Sequence, residues 1–110
     1  MQIQVIKDKL PEYVAGQGKI INYAECKNNE LFIDMLVNQV GTACNQFFAK
    51  PTIENIVEIQ LVLEAIIKAN GVNDETYNQI RTEMINAQGA YDSRYIGFFQ
   101  EPATQSETNA

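Results

Sequence analysis

Residues 53–67 read IENIVEIQLVLEAII and form the most apolar stretch of this 110-residue chain. The apolar residues follow helical spacing and cover most of the circumference, which predicts a helix at the centre of the fold. Thr52 is a suitable N-cap for this helix, and Gly71 is typical of the position just after a helix C-terminus. We therefore predict a helix from about Ile53 to Asn70.

Two further helices are predicted on either side of this stretch. From Glu30 to Phe48 the apolar residues also recur with helical spacing, and Lys50-Pro51 ends the pattern. Asn73-Asp74 predicts the start of a third helix, which ends at Gly89. The first thirty residues show no comparable periodicity. The predicted fold is all-α, with three main helices and an irregular N-terminal arm.

The domain boundary and the assembly state follow from the same pattern. Residues 1–99 are predicted to form a single domain, and residues 100–110 a disordered tail, because they contain almost no apolar side chains. The apolar surface of the first two helices exceeds what one antiparallel partner covers, which predicts a helical bundle completed by dimerisation. The alternative is a compact monomer with the N-terminal arm as a lid.

Tyr91 and Phe98-Phe99 are expected to pack in the core or a lid, with base stacking as the alternative.

The composition excludes several classes of function. The chain has 8 basic and 14 acidic residues, a net charge of −6 and no histidine. Histidine-dependent catalysis and histidine-ligated zinc or haem are therefore excluded, and the acidic balance argues against nucleic-acid binding. Cys26 and Cys44 form no disulfide framework or CxxC pair, which is typical of a reducing compartment. With no signal-peptide pattern and no membrane-spanning run, we expect a cytoplasmic protein without membrane contact.

Asparagine and glutamine are unusually frequent. The chain has eleven Asn and ten Gln, and they lie within the periodic segments at positions where helical proteins commonly place charged residues. The centre of the polar stripe on the first long helix is neutral, consisting of Asn38, Gln39, Thr42 and Asn45. These side chains donate and accept hydrogen bonds, but they do not supply the negative charge that Mg²⁺ requires.

Carboxylates occur at two places where a metal site is conceivable. Glu54 and Glu58 are one helical turn apart on the second long helix, and Glu30 and Asp34 lie at the N-terminal edge of the first. A pair of facing helices with such carboxylates suits Mg²⁺, which prefers hard oxygen ligands. The simpler interpretation is that Glu54 and Glu58 lie on a solvated helix face and bind no metal.

Several short motifs resemble those of MazG-like proteins related to phosphoribosyl-ATP pyrophosphohydrolase. The segment Val5 to Glu12 (VIKDKLPE) is similar to the family's "LVRDKIPE" start, and Gly16 to Lys19 follows at the expected distance. Asn70 to Val72 fits the "KGIS" turn, and Gln88 to Arg94 resembles the closing "RGGFxxR". The resemblance covers roughly residues 4–99.

The resemblance implies an all-α, dimeric or tetrameric enzyme that splits the α–β phosphoanhydride of nucleoside triphosphates. In the family, Mg²⁺ is held by carboxylates in an EExxE…ExxD pattern. That pattern falls on Asn38, Gln39 and Thr42, and then on Asn55 and Glu58, so only Glu58 remains acidic. Because amides and hydroxyls neither gather Mg²⁺ nor act as a base at neutral pH, the metal-dependent activity is expected to be lost or weakened.

The favoured hypothesis is therefore a catalytically inactive or weak homologue with nucleotide-binding, regulatory or structural function. Its ligand-pocket candidates are Asn38, Gln39, Thr42, Asn55 and Glu58, and its phosphate-contact candidates are Lys50, Arg81 and Arg94. No cofactor is expected in that case, and the predicted partners are a second copy of the chain and a nucleotide.

Two alternatives remain at this point. The first is an active nucleotide pyrophosphohydrolase in which Glu54 and Glu58 hold Mg²⁺ in a rearranged site, with Glu30 and Asp34 as further carboxylates. The second is that the amide-rich helix face is only a solvated or subunit-facing surface without a ligand.

Overall fold

The structure, a computed structural model, describes residues 3–100 and is all-helical over that range. It contains the helices α1 (Leu10–Ala15), α2 (Asn29–Ala49), α3 (Ile53–Ala69) and α4 (Asp74–Gln88), and residues 3–100 form no strand. The three predicted main helices are thus confirmed to within one or two residues. None of the described helices is long and apolar enough to cross a membrane.

The chain divides into two units, Met1–Tyr77 and Asn78–Ala110. The first contains α1, α2 and α3, and the second contains most of α4 and the segment that follows it. The single domain over residues 1–99 stays a prediction. Of the predicted disordered tail, only Gln100 belongs to the described residues, and residues 101–110 lie outside them.

The N-terminal arm is more regular than predicted, because it contains the short helix α1. Pro11 lies in the first turn of this helix, where its fixed φ suits the helix and its missing N–H is not needed. The helix ends at Gly16, and Gly18 follows with a φ of 81°. The predicted irregular arm is otherwise confirmed for residues 3–28, and α1 was not predicted because a helix of six residues is too short to show apolar periodicity.

Helices α2 and α3 form an antiparallel hairpin that is joined at both ends by asparagine side chains. At one end, Asn29 Nδ2 donates to the carbonyl oxygen of Ala69 over 3.0 Å. At the other end, Asn55 Nδ2 donates to the carbonyl oxygens of Lys50 (2.8 Å) and Gln46 (3.3 Å). Some of the unusual amides therefore donate to backbone carbonyl oxygens at helix ends, where the Gln46 oxygen also accepts from the Lys50 N–H and the Lys50 oxygen from the Thr52 N–H.

The helix ends follow the chemistry predicted for them. The Asn55 backbone N–H donates to Thr52 Oγ1 over 3.3 Å, and the Thr76 N–H donates to Asn73 Oδ1 over 2.8 Å. These are N-cap hydrogen bonds at α3 and α4. Gly71 follows α3 with a φ of 73°, a left-handed conformation that side chains with a Cβ disfavour.

Removing the α3 cap is expected to have a measurable cost. Thr52→Ala deletes the acceptor for the Asn55 N–H and should lower the free energy of unfolding by about 1 kcal/mol. Thr52→Ser keeps the hydroxyl and should stay close to the wild type. Urea denaturation of both variants checks this, and an equal loss for serine and alanine would show that the hydroxyl is not the stabilising group.

The core of the hairpin is small. Leu36 and Ala43 on α2 and Val62 on α3 are buried, with 2%, 1% and 6% of their surface exposed. By contrast, Ile53 is 64% exposed and Leu63 is 43% exposed. Helix α3 is therefore covered on one side only, although its sequence is apolar around most of its circumference.

The second unit carries large apolar side chains on its surface. Ile80 and Met84 of α4 are 52% and 65% exposed. After Gly89, which ends the helix with a φ of 84°, Tyr91 and Phe98-Phe99 are almost fully exposed. The prediction that these three aromatic residues pack in a core or lid is wrong for the single chain, since an apolar composition does not reveal what covers it.

Candidate functional site

The α2–α3 hairpin has two different sides. At 3.6 residues per turn, Met35, Gln39 and Thr42 lie to one side of the contact line on α2, and Val37 and Phe48 lie to the other. Helix α3 likewise has a stripe of residues on each side of its contact line with α2. One stripe contains Glu54, Glu58 and Leu61, and the other contains Ile56, Leu63 and Ile67. Each stripe is rotated away from the contact line of its own helix, viewed along the chain direction. Because the helices are antiparallel, two stripes that are rotated in the same direction lie on the same side of the hairpin.

The N-terminal arm lies against the first of these sides, which we call the arm side. Ile3 and Gln4 line a pocket with residues of α2, and Lys7 lines a second pocket with residues of α3. The other side, marked by Val37 and Phe48 on α2 and by Ile56 and Leu63 on α3, is called the open side. All four of its marker residues are exposed.

The first pocket brings together three of the predicted ligand residues. It has a volume of about 190 Å³, and its lining consists of Ile3, Gln4, Met35, Asn38, Gln39 and Thr42. None of these residues is charged. Four of them offer amide or hydroxyl groups, so the pocket can donate and accept hydrogen bonds without presenting a net charge to a ligand.

The second pocket contains the other two predicted ligand residues. It has a volume of about 380 Å³ and is lined by Lys7, Ile53, Glu54, Asn55, Val57, Glu58 and Leu61. The five candidates therefore fall into two neighbouring groups on the arm side, with the α2 residues in the first pocket and the α3 residues in the second. They do not line one common pocket.

Glu58, the single carboxylate at the five family positions, is paired with a cation from the arm. Lys7 Nζ forms an ion pair with Glu58 Oε1. The side chain of Glu58 is 24% exposed and that of Lys7 is 60% exposed, so the carboxylate is the more enclosed partner. The lysine ammonium thus neutralises the charge that a metal ion would otherwise meet at this position.

Asn55 is held by the backbone rather than left free for a ligand. Its amide nitrogen has two hydrogens, and both have an acceptor in the turn between α2 and α3, at Lys50 and Gln46. Only its oxygen Oδ1 is left to face the second pocket. An ionised carboxylate at this position would place its oxygens next to the carbonyl oxygens of Lys50 and Gln46, and these atoms would repel one another.

The residues present do not fit the Mg²⁺ site that the family resemblance implies. No group of three or more acidic or cysteine side chains placed to hold a metal occurs in the described part of the chain. Glu54 and Glu58 share the second pocket, but Glu30 and Asp34 do not line it, and Glu58 already has Lys7 as a counter-ion. A pair of carboxylates next to an ammonium group is a poor site for a divalent cation.

The predicted phosphate contacts are divided between the two units of the chain. Lys50 belongs to the hairpin turn, where its carbonyl oxygen accepts from Asn55, and it lines neither pocket. Arg81 lies on α4 and Arg94 in the segment after it, where Arg94 has a φ of 59°. Both arginines belong to the second unit.

Residues of the arm were missed as site residues. Gln4 and Lys7 line the two pockets, although the sequence reasoning placed all ligand candidates on the long helices or later in the chain. The signal that could have indicated Lys7 is the resemblance of Val5 to Glu12 to a family motif, since short motifs outside periodic segments often mark functional loops.

The ion pair between Lys7 and Glu58 should contribute little to stability. We expect Lys7→Gln to lower the free energy of unfolding by at most about 1 kcal/mol, because the lysine side chain is mostly exposed. The difference should shrink in 1 M NaCl, where such pairs are screened. Lys19→Gln, in the loop after α1, is the matched control. A loss that persists at high salt would show that Lys7 contributes mainly through packing.

The candidate site is thus a pair of small pockets on the arm side, one neutral and one containing a lysine and two glutamates. It offers hydrogen-bonding groups in the first pocket and a neutralised carboxylate in the second.

Comparisons of the chain with protein-family models, with curated proteins and with solved structures found no match.

Proposed function

We propose that this chain is a MazG-like nucleotide-binding protein without metal-dependent catalysis. The observation that carries the proposal is the first pocket, where Asn38, Gln39 and Thr42 come together at the positions that are acidic in the family pattern. A pocket of neutral amides and a hydroxyl suits the edges of a base or the hydroxyls of a sugar. With about 190 Å³, it has room for one such moiety rather than for a whole nucleotide.

The charges on the arm side support binding without a metal. Since the first pocket carries no charged lining residue, it does not repel an anionic ligand as a cluster of carboxylates would. In the second pocket, Lys7 offsets Glu58. Lys50, Arg81 and Arg94 remain proposed phosphate contacts, and a cytoplasmic location is proposed from the two free cysteines.

Calorimetric titration in EDTA tests the proposal with a panel of nucleoside mono-, di- and triphosphates. We expect at least one of them to bind, and Asn38→Ala to weaken that binding about fivefold, the effect of losing one hydrogen bond. Asn45→Ala is the matched control, because Asn45 is an exposed asparagine on the same helix that does not line the pocket. Absence of binding across the panel would contradict nucleotide binding and leave a purely structural role.

The active-enzyme alternative would be supported by a different result. It requires Glu54 and Glu58, which line the second pocket together, to hold Mg²⁺ as a pair. Mg²⁺-dependent release of pyrophosphate from a nucleoside triphosphate, abolished by Glu58→Gln, would establish that alternative and overturn the proposal of a non-catalytic protein.

We further propose that the protein assembles as a homodimer, on the basis of the apolar surface of its two long helices. Phe48 on α2 is 74% exposed, and Ile53 and Leu63 on α3 are 64% and 43% exposed. The pairing of α2 with α3 leaves these side chains uncovered, and burial of such a surface favours association with a second copy of the chain. Sedimentation velocity tests this proposal, and a chain that is only monomeric at micromolar concentration would contradict it.

A further inference from the structure

The turn that follows α3 contains the dipeptide Asn70-Gly71. Of the eleven asparagines in the chain, Asn70 is the one that is followed by a glycine. Both residues are exposed, and neither of them lines the two pockets of the arm side. The turn therefore presents an asparagine amide to water beside a backbone nitrogen whose own residue has no Cβ to shield it.

An asparagine in this position has a chemical route to aspartate that needs only water, and asparagine is among the thermolabile residues of proteins. The Gly71 backbone nitrogen loses its proton and bonds to Cγ of Asn70, which closes a succinimide ring. The bond between Cγ and Nδ2 breaks, and Nδ2 leaves with that proton as ammonia. Water then opens the ring at either carbonyl group and leaves aspartate or isoaspartate. No atom is oxidised or reduced in these steps.

The folded turn keeps these atoms away from ring closure. Asn70 has a ψ of 0°, so the Gly71 nitrogen eclipses the backbone nitrogen of Asn70 instead of its Cβ, which the ring requires. The Gly71 N–H donates to the carbonyl oxygen of Lys68 over 3.0 Å. Asn70 Nδ2 donates to the carbonyl oxygen of Ile66 over 2.8 Å. Ring closure therefore requires both hydrogen bonds to break and the backbone of Asn70 to rotate.

We propose that Asn70 is a site of spontaneous deamidation and that opening of this turn sets its rate. Helix ends fray more readily than helix centres, because their last carbonyl groups have no partner further along the helix. Both hydrogen bonds that must break lie at the exposed end of α3, beyond the buried Val62. Local opening of this end, without unfolding of the core, therefore releases the reactive atoms. The proposal does not depend on nucleotide binding.

The product of the reaction fits this helix end less well than asparagine does. A carboxylate has no hydrogen to donate to the Ile66 carbonyl oxygen, and its negative charge lies at the negative end of the α3 dipole. Isoaspartate also adds a methylene group to the main chain of the turn. The preceding residue, Ala69, supplies the carbonyl oxygen that accepts from Asn29 of α2. Deamidation therefore loosens the end of the hairpin at which Asn29 joins α2 to α3.

Peptide mapping of the full chain by mass spectrometry tests the site. The protein is incubated in mildly alkaline buffer, either folded or in urea, and digested with trypsin beside a sample that was not incubated. The tryptic peptide 69–81 contains Asn70 together with Asn73 and Asn78, which serve as internal controls. We expect Asn70 to convert at least about tenfold faster than either control. Its conversion in urea should be at least about tenfold faster than in the folded chain, because the turn is then open.

Gly71→Asn is the matched variant for the reaction. Asparagine tolerates the left-handed conformation of Gly71, which has a φ of 73°, but its Cβ shields the backbone nitrogen. Conversion at Asn70 should slow at least about tenfold. The comparison in urea, where the turn is open in both proteins, separates this effect from any change in folding. Asn70→Asp has the side chain of one product and should raise the unfolding equilibrium constant about fivefold in urea denaturation.

The outcomes separate the site from its control and its consequence. Absence of conversion at Asn70 in the folded protein over several weeks, or conversion no faster than at the controls, would overturn the site. Equal rates in the folded protein and in urea would overturn control by the turn. If Asn70→Asp were as stable as the wild type, deamidation would not loosen the hairpin end. Conversion at Asn70 that Gly71→Asn slows both in buffer and in urea would establish the site.

Discussion

Replacing Leu36 with alanine is expected to lower the free energy of unfolding by about 2–5 kcal/mol. Leu36 is 2% exposed and is the largest of the three buried core residues on α2 and α3. Truncating it removes apolar contacts between the helices and leaves a cavity that the neighbouring side chains fill only in part. With so few buried residues, this loss is a large share of the stability typical of a small domain.

The control for this prediction is Leu31→Ala on the same helix. Leu31 is 50% exposed, so its truncation should cost less than about 1 kcal/mol. Urea unfolding of both variants at one fixed protein concentration gives the comparison, since concentration matters if the protein is a dimer. Similar losses for the two leucines would contradict a core centred on Leu36, Ala43 and Val62.

Asn55→Asp is the second substitution with a large expected effect. It introduces an acidic side chain at one of the positions that are acidic in the family pattern the sequence resembles, and we expect the free energy of unfolding to fall by about 2 kcal/mol. The amide of Asn55 donates to the carbonyl oxygens of Lys50 and Gln46, whereas an ionised carboxylate has no hydrogen to donate. The substitution therefore removes two hydrogen bonds and brings the negatively charged carboxylate oxygens close to these two carbonyl oxygens, which repel them.

Two further variants separate the effect of the lost hydrogen bonds from the effect of the added charge. Asn55→Ala removes the same hydrogen bonds without adding charge and should cost about 1 kcal/mol. Asn45→Asp adds the same charge on an exposed part of α2 and should cost less than about 0.5 kcal/mol. If Asn55→Asp were as stable as the wild type, the asparagine would not be the structural link between α2 and α3 that its hydrogen bonds indicate.

Much of the helical framework could be predicted from the sequence, because it depends on local chemistry. Thr52, Asn73 and Gly71 act at helix ends through hydrogen bonds and backbone conformation that reach only a few residues. Helix α1 was missed because a six-residue helix shows no apolar period. The apolar pattern also indicates that one antiparallel partner leaves part of α3 uncovered, and Leu63 is accordingly 43% exposed.

The candidate site could be predicted only in part. The pattern on α2 indicated Asn38, Gln39 and Thr42 together, and these three residues line one pocket. The backbone hydrogen bonds of Asn55 and the pairing of Lys7 with Glu58 depend on how the hairpin turn and the arm fold back. Lys7 and Glu58 are far apart in the sequence, so no local pattern indicates their ion pair.

Nucleotide binding with and without Mg²⁺ is the most direct test of the central claim, that the arm side binds a nucleotide without metal-dependent catalysis. Calorimetry of the best-bound triphosphate should give dissociation constants in EDTA and in 5 mM MgCl₂ that agree within about threefold, which is less than 1 kcal/mol. No pyrophosphate should be released in the same samples. Binding that tightens more than about tenfold with Mg²⁺, together with release of pyrophosphate, would contradict the claim.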